Sequence, residues 1–317
     1  MTMAEDEPAA TAPPQVVDRL YRTLDHVPSL AGEPRTVEAL VGGLTNFNFK
    51  VSTPDRTAVV RLSTSDGNLL TIDRDAEHTN SLRAAESGAA PAVLAYLPDH
   101  QSLVVDWVEG RALTAQDLHD EGNLVRAADA VRLLHSGPRF VRDFDMFAVQ
   151  SRYLAIVHDR GYRLPRGYLE LLPQADRIAD ALAVQTADTV PCHNDLVAAN
   201  FIDDGDRLWV IDYEYAGNND PCFELGNICS ESDLPLEHLA VLVDSYFGSH
   251  LRHKVARARL LGLMANYGWT LWASIQVATS PIDFDFWSWG TEKYERAAAE
   301  FSGPDFAGLL IDAQRPD

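Results

Sequence analysis

Two periodicities divide this chain. Residues 37–63, VEALVGGLTNFNFKVSTPDRTAVVRLS, carry apolar or alternating runs broken at Gly42-Gly43 and again at Thr53-Pro54-Asp55, a pattern of strands joined by hairpins. Residues 73–88 read as a helix, and LVVDWVEG at 103–110 reads as a further strand ending at Gly110. Beyond it helical spacing dominates, as in LVRAADAVRLLHS at 124–136. An α+β chain with a small strand-rich lobe ahead of a larger helical lobe follows. The expected division is a disordered leader over residues 1–14, an N-lobe over 15–108 and a C-lobe over 109–317, with the link near 104–112.

Bulk properties narrow the function classes. At 317 residues and 46% hydrophobic content the chain can bury a large core, and its length suits two lobes. Against 26 Lys plus Arg stand 47 Asp plus Glu, for a net charge of -21. That balance argues against binding nucleic acid or an anionic membrane, but not against a small cationic ligand. Cys192, Cys222 and Cys229 are odd in number and lack Cys-x-x-Cys spacing, so neither a disulfide framework nor a zinc site is expected, and a reducing cytoplasm fits. The opening MTMAEDEPAATAPP has no basic region and no apolar core, unlike a signal peptide. Residues 260–282 contain no charge and are long enough to span a bilayer, yet Asn266, Gln276 and several Ser and Thr point to a buried helix with a polar stripe rather than membrane insertion.

The chemistry is concentrated in CHNDLVAAN, residues 192–200, and VIDYEY, residues 210–215. His193, Asp195 and Asn200 have the spacing His-x-Asp-x-x-x-x-Asn, and Asp212 supplies a second acid after a short hairpin turning at Asp203-Asp204-Gly205. Such a set serves phosphoryl transfer. One carboxylate accepts the proton of an attacking hydroxyl, while the amide and the second carboxylate hold a metal against nucleotide phosphates.

These stretches resemble the aminoglycoside-phosphotransferase and choline-kinase superfamily, and most closely its choline/ethanolamine kinase branch; the likeness runs over roughly residues 37–300. The resemblance implies a two-lobed protein-kinase-like fold, ATP as phosphoryl donor and Mg²⁺ as cofactor. It makes Asp195 the residue that accepts the hydroxyl proton or orients that hydroxyl, Asn200 and Asp212 the Mg²⁺ ligands, and His193 a brace for the loop, with a second-base role as the alternative. GGLTNFNFKV is similar to the family's nucleotide loop, which puts Gly42, Gly43, Thr45 and Asn46 over the phosphates. Arg61 in VVRLS stands where protein kinases carry a phosphate-binding lysine, and Glu77 of RDAEHTN is its expected partner. Asp106 and Val108 in DWVEGRAL resemble the hinge that meets adenine with backbone atoms.

The acceptor side rests on aromatics. Trp269 and Trp272 in GWTLWASIQ lie three apart on one helical face, and IDFDFWSWG adds more rings. In order and spacing these are similar to the family's cage for a quaternary ammonium, with Trp269, Trp272, Phe284 and Trp289 as walls and Tyr215 and Glu231 joining them. There are departures: Val197 replaces a Gln of the eukaryotic enzymes, and the family's second acid near FDIGN is Glu224 in FELGN. Both are expected to touch the acceptor side. The implied reaction moves the γ-phosphoryl group of ATP to the hydroxyl of a small amino alcohol, choline first, with ethanolamine, aminoglycosides or other small molecules as alternatives.

Overall fold

The computed structural model describes residues 12–32, 34–40, 43–63, 69–70 and 72–315. Gly42 and most of the expected leader lie outside the described residues; of the leader, Ala12 packs on the first core and Pro14 opens a helix.

Strands β1 (Thr36–Leu40), β2 (Asn46–Ser52), β3 (Thr57–Ser63), β4 (Val93–Leu97) and β5 (Ser102–Asp106) form one antiparallel sheet in the order β1-β2-β3-β5-β4. Alternation decides its faces: Phe49 and Val51 on β2 and Val60 and Leu62 on β3 are buried with Leu20 and Leu24 of helix α1 (Pro14–Asp25). The second turn closes as expected, with Thr53 N–H donating to the Arg56 carbonyl at 2.8 Å. Helix α2 (Arg74–Ser87) starts where the Asp73 carboxylate accepts the amides of Asp75 and Ala76, and it stops at Gly88, which adopts the left-handed conformation at φ 85°. Helix α1 and strand β4 lie outside the segments read from the sequence, although Val16, Leu20 and Leu24 recur at helical spacing behind Pro14. The strand expected over 103–110 ends at Asp106 instead, because the chain peels off the sheet to form the linker.

After the linker come β6 (Arg111–Ala112), α3 (Glu121–His135), α4 (Met146–Arg160), α5 (Leu172–Ala183), β7 (Val190–Cys192), β8 (Phe201–Asp203), β9 (Leu208–Val210) and β10 (Gly217–Asn219). Then α6 (Pro221–Glu231), α7 (Leu236–Phe247), α8 (Arg252–Thr279), α9 (Phe286–Phe301) and α10 (Phe306–Asp312) complete the larger lobe. Its core is separate from that of the sheet, although Ala84 of α2 belongs to it. The uncharged stretch forms the second half of α8, buried on nearly all sides, and no described helix is long and apolar enough to cross a membrane.

Helices α6 and α8 cross at two glycines. A Cβ on Gly226 would lie 2.0 Å from the Ala258 carbonyl oxygen, and one on Gly262 would lie 2.5 Å from that of Gly226. Since α6 carries Glu224 and Glu231 while α8 carries Trp269 and Trp272, this contact sets the spacing between those acids and those rings. Gly262→Ala should therefore cost about 1–3 kcal/mol of stability, the usual range for overpacking, read as a lower unfolding midpoint. An unchanged midpoint would show that the crossing can relax freely.

Candidate active site

Residues 192–200 leave β7 and turn back before β8, so the loop must be held by side chains from elsewhere. Glu224, fully buried on α6, accepts the amides of His193 at 2.5 Å and Asn194 at 2.9 Å. Asn194 sits in the left-handed region at φ 70°, and its amide group donates to the carbonyls of Cys192, Tyr215 and Gly217. His193 Nδ1 accepts from the Asp195 amide at 3.2 Å, which leaves Nε2–H to donate to the Ile211 carbonyl at 2.8 Å. Burial lowers its pKa and favours the neutral ring. His193 is thus occupied on both nitrogens. Glu224 does not face the acceptor side, contrary to expectation: two buried backbone amides need an acceptor and it supplies both oxygens. His135 and Cys192 also approach it, but a metal there would compete with those amides.

Asp195 is half-buried, and no described residue donates a hydrogen bond to its carboxylate. Burial raises its pKa well above the usual carboxylate value; Glu231, Asp212 and Glu214 add to the effect and Lys293 opposes it. Asn200 donates through Nδ2 to the Asp195 carbonyl at 2.9 Å, so its Oδ1 is the atom left for a ligand. Asp212, left-handed at φ 75°, meets Arg61 at 2.6 Å.

Arg61 also meets Glu77 at 2.6 Å, the expected pair. Burial works against its charge, but Asp212, Glu77 and Glu214 outweigh that and raise its pKa. The network extends further than anticipated. Arg74 bonds Glu77 at 2.7 Å, Glu214 at 3.2 Å and the side-chain oxygen of Asn46 at 3.0 Å. Glu214 in turn accepts from Thr45 at 2.7 Å and from Asn46 at 2.9 Å. Thr45 and Asn46 therefore spend their side chains on a buried carboxylate that has to be satisfied, and tie the loop between β1 and β2 to the segment after β9.

A cavity of about 360 Å³ lies between the sheet and the larger lobe. Gly43, Arg61, Asp106, Val108, Asn200 and Asp212 line it, as do the apolar Val59, Val105, Ile202 and Ile211; Thr45, Asn46 and Glu77 do not. Asn48 also lines it and carries a buried side-chain oxygen without a partner among the described residues, a candidate that sequence reasoning passed over. The Asp106 amide is already spent on the Ala92 carbonyl at 2.8 Å, so only its carbonyl could meet a ligand, while Val108 N–H has no backbone partner among the described residues.

The aromatic residues gather on α8 and α9. Trp272 donates to the Tyr215 hydroxyl at 2.8 Å, and Trp269 meets Tyr215 edge-on with centroids 5.0 Å apart. Trp272 meets Trp289 at 5.4 Å and Phe286 at 5.6 Å. Phe284, expected as a wall, precedes the Asp285 cap of α9, is 40% exposed and packs on Phe286. Phe286, three residues before Trp289 on the same helical face, is the ring that packs on Trp272. Glu231 is held by Lys293, whose Nζ lies 2.6 Å from both carboxylate oxygens.

Residues 36–262 match the family described as "Phosphotransferase enzyme family". The chain belongs to this family. Among solved structures, a choline/ethanolamine kinase family protein from Mesorhizobium loti superposes with a TM-score of 0.83 at 30% identity, covering 94% of this chain and 99% of that one. Ethanolamine kinase 1 of Mus musculus is 24% identical over 310 residues, 83% of this chain and 84% of its own length. Protein LicA of Haemophilus influenzae is 25% identical over 256 residues, 74% and 72% of the two chains. The protein is a choline/ethanolamine kinase-like phosphotransferase acting on an alcohol group, with the α+β, kinase-like architecture of that family.

In this phosphotransferase three residues missed by sequence reasoning share one trait. Arg74, Glu214 and Lys293 all have partners distant in the chain, as with Thr45 and Glu214, 169 residues apart. Arg74 and Glu214 stand inside the quoted stretches RDAEHTN and VIDYEY, and an acid beside Asp212 was the one available signal.

Proposed function

We propose that the protein transfers the γ-phosphoryl group of ATP to the hydroxyl of a small amino alcohol, choline first. The observation that carries this reading is the unspent Asp195 carboxylate on a braced loop, within electrostatic reach of Asp212 on the nucleotide side and Glu231 beside the aromatic cluster. Asp195 takes the hydroxyl proton as the acceptor oxygen bonds to the γ-phosphorus and the bond to the β-phosphate oxygen breaks, releasing ADP. Arg61, anchored by Glu77, turns from Asp212 towards the phosphates.

Asn200 Oδ1 and the Asp212 carboxylate suit Mg²⁺, a hard cation that takes few protein oxygens and keeps phosphate and water ligands. When bound, Mg²⁺ neutralises phosphate charge. The Asp106 carbonyl and Val108 N–H, which line the cavity, would meet the base. The unmatched oxygen of Asn48 and the backbone at Gly43 lie on the phosphate side of this scheme. The two lobes divide near residue 108, and the fit to a reducing cytoplasm belongs to the same reading.

The aromatic cluster favours choline because trimethylammonium gains both apolar burial and cation–π attraction. Ethanolamine is the second reading, favoured because Glu231 already accepts N–H bonds from an ammonium. ADP release measured over choline, ethanolamine, other amino alcohols and aminoglycosides tests the proposal: an amino alcohol should give the highest kcat/KM, and preference for an aminoglycoside would overturn it. Trp272→Ala should raise the KM for the amino alcohol about 2- to 30-fold, matching 0.5–2 kcal/mol of cation–π energy, with little change for ATP. Equal changes in both constants would remove Trp272 from acceptor binding.

A further inference from the structure

Trp289 and Lys293 lie four residues apart on α9, one helical turn, so their side chains share a face. The Lys293 ammonium sits 4.3 Å from the centroid of the Trp289 ring and 2.6 Å from each oxygen of Glu231, and the Lys293 and Glu231 side chains are only 7% and 6% exposed. An aromatic face and a buried carboxylate together make a seat for a cation, and here the chain fills that seat with its own ammonium. The seat adjoins the reacting centre. Glu231 and Lys293 both act on Asp195 with opposite sign, and Trp289 meets Trp272, which bonds Tyr215.

We propose that Lys293 is an internal competitor for the cationic group of the acceptor and thereby sets acceptor specificity. This rests on the amino-alcohol reading above. A second cation cannot be added beside Lys293 without like-charge repulsion in a poorly solvated place, so the acceptor's ammonium docks on Glu231 only as the lysine leaves it. Lysine suits such an exchange, since its long flexible stem can carry the ammonium out to water. The competition weakens every cationic acceptor. It weighs most on quaternary ammonium, which has no N–H to replace the two bonds that Lys293 gives to Glu231.

Lys293→Met should lower the KM for choline at least tenfold and raise kcat/KM for choline relative to ethanolamine, with the KM for ATP within twofold of wild type. An unchanged or higher choline KM would overturn the proposal. Tetramethylammonium, which has no hydroxyl to phosphorylate, separates this from the substrate reading: it should raise the unfolding midpoint of Lys293→Met by several degrees and that of wild type by less than one. Equal shifts in both, or none in either, count against the competitor. If no amino alcohol is turned over by either protein, the proposed substrate class is wrong, and the tetramethylammonium shifts still decide the seat. Lys293→Met leaves Glu231 buried without its partner, so Lys293→Gln, whose amide can still donate to Glu231, is the second variant and should move the same quantities in the same direction by less. Opposite movement in it would likewise reject the idea.

Discussion

Asp195→Asn should fold, bind ATP with a KM within about threefold of wild type, and turn over about 10²–10⁴ times more slowly, the usual size of a general-base contribution. The loop gives no reason for collapse. Its bonds run through the backbone of Asp195 to His193 and Asn200, and no described residue bonds the carboxylate that is replaced. The same substitution removes a carboxyl that burial and the neighbouring Glu231, Asp212 and Glu214 hold above its ordinary pKa. A raised carboxyl pKa in the fold means that the ionised form near neutral pH costs stability, so the variant's unfolding midpoint should rise by a few degrees while activity falls. Wild-type turnover would take Asp195 out of the chemistry, and a lower midpoint would show that it has a structural partner after all.

Glu224→Ala should do the opposite kind of damage. It leaves the amides of His193 and Asn194 without an acceptor in a fully buried place, at about 1–3 kcal/mol for each orphaned donor. A loss of about 3–5 kcal/mol in total is expected, together with a large fall in turnover, because Asn194 holds its left-handed backbone only while the loop is clamped. Thermal unfolding and single-turnover rates measured on the same preparation read both effects. If stability drops while the rate stays, the clamp serves the fold alone and the loop keeps its shape through the bonds of Asn194.

The two variants lie on different sides of what a reader of the sequence can see. The grouping of Asp195, Asn200 and Asp212 is legible because a loop and a hairpin bring neighbours in the chain together in space. The faces of β2 and β3, the Asp73 cap with its Gly88 stop, and the turn at Asp203-Asp204-Gly205 were readable for the same reason: each depends on contacts within a few residues.

Partners of buried charges depend on something else. Glu224 could as well have lined the acceptor side and Thr45 and Asn46 could have faced phosphates; two buried amides took the first and one buried carboxylate took the other two. Lys293 meets Glu231 across 62 residues only because α6 and α9 both pack on α8, with α6 brought close at Gly226 and Gly262. Periodicity specifies which face of a helix is buried but not which charge waits opposite it. That is set by helix crossings, and a buried charge must take whatever counter-charge the crossing delivers, since leaving it unpaired costs more than any local preference can offset.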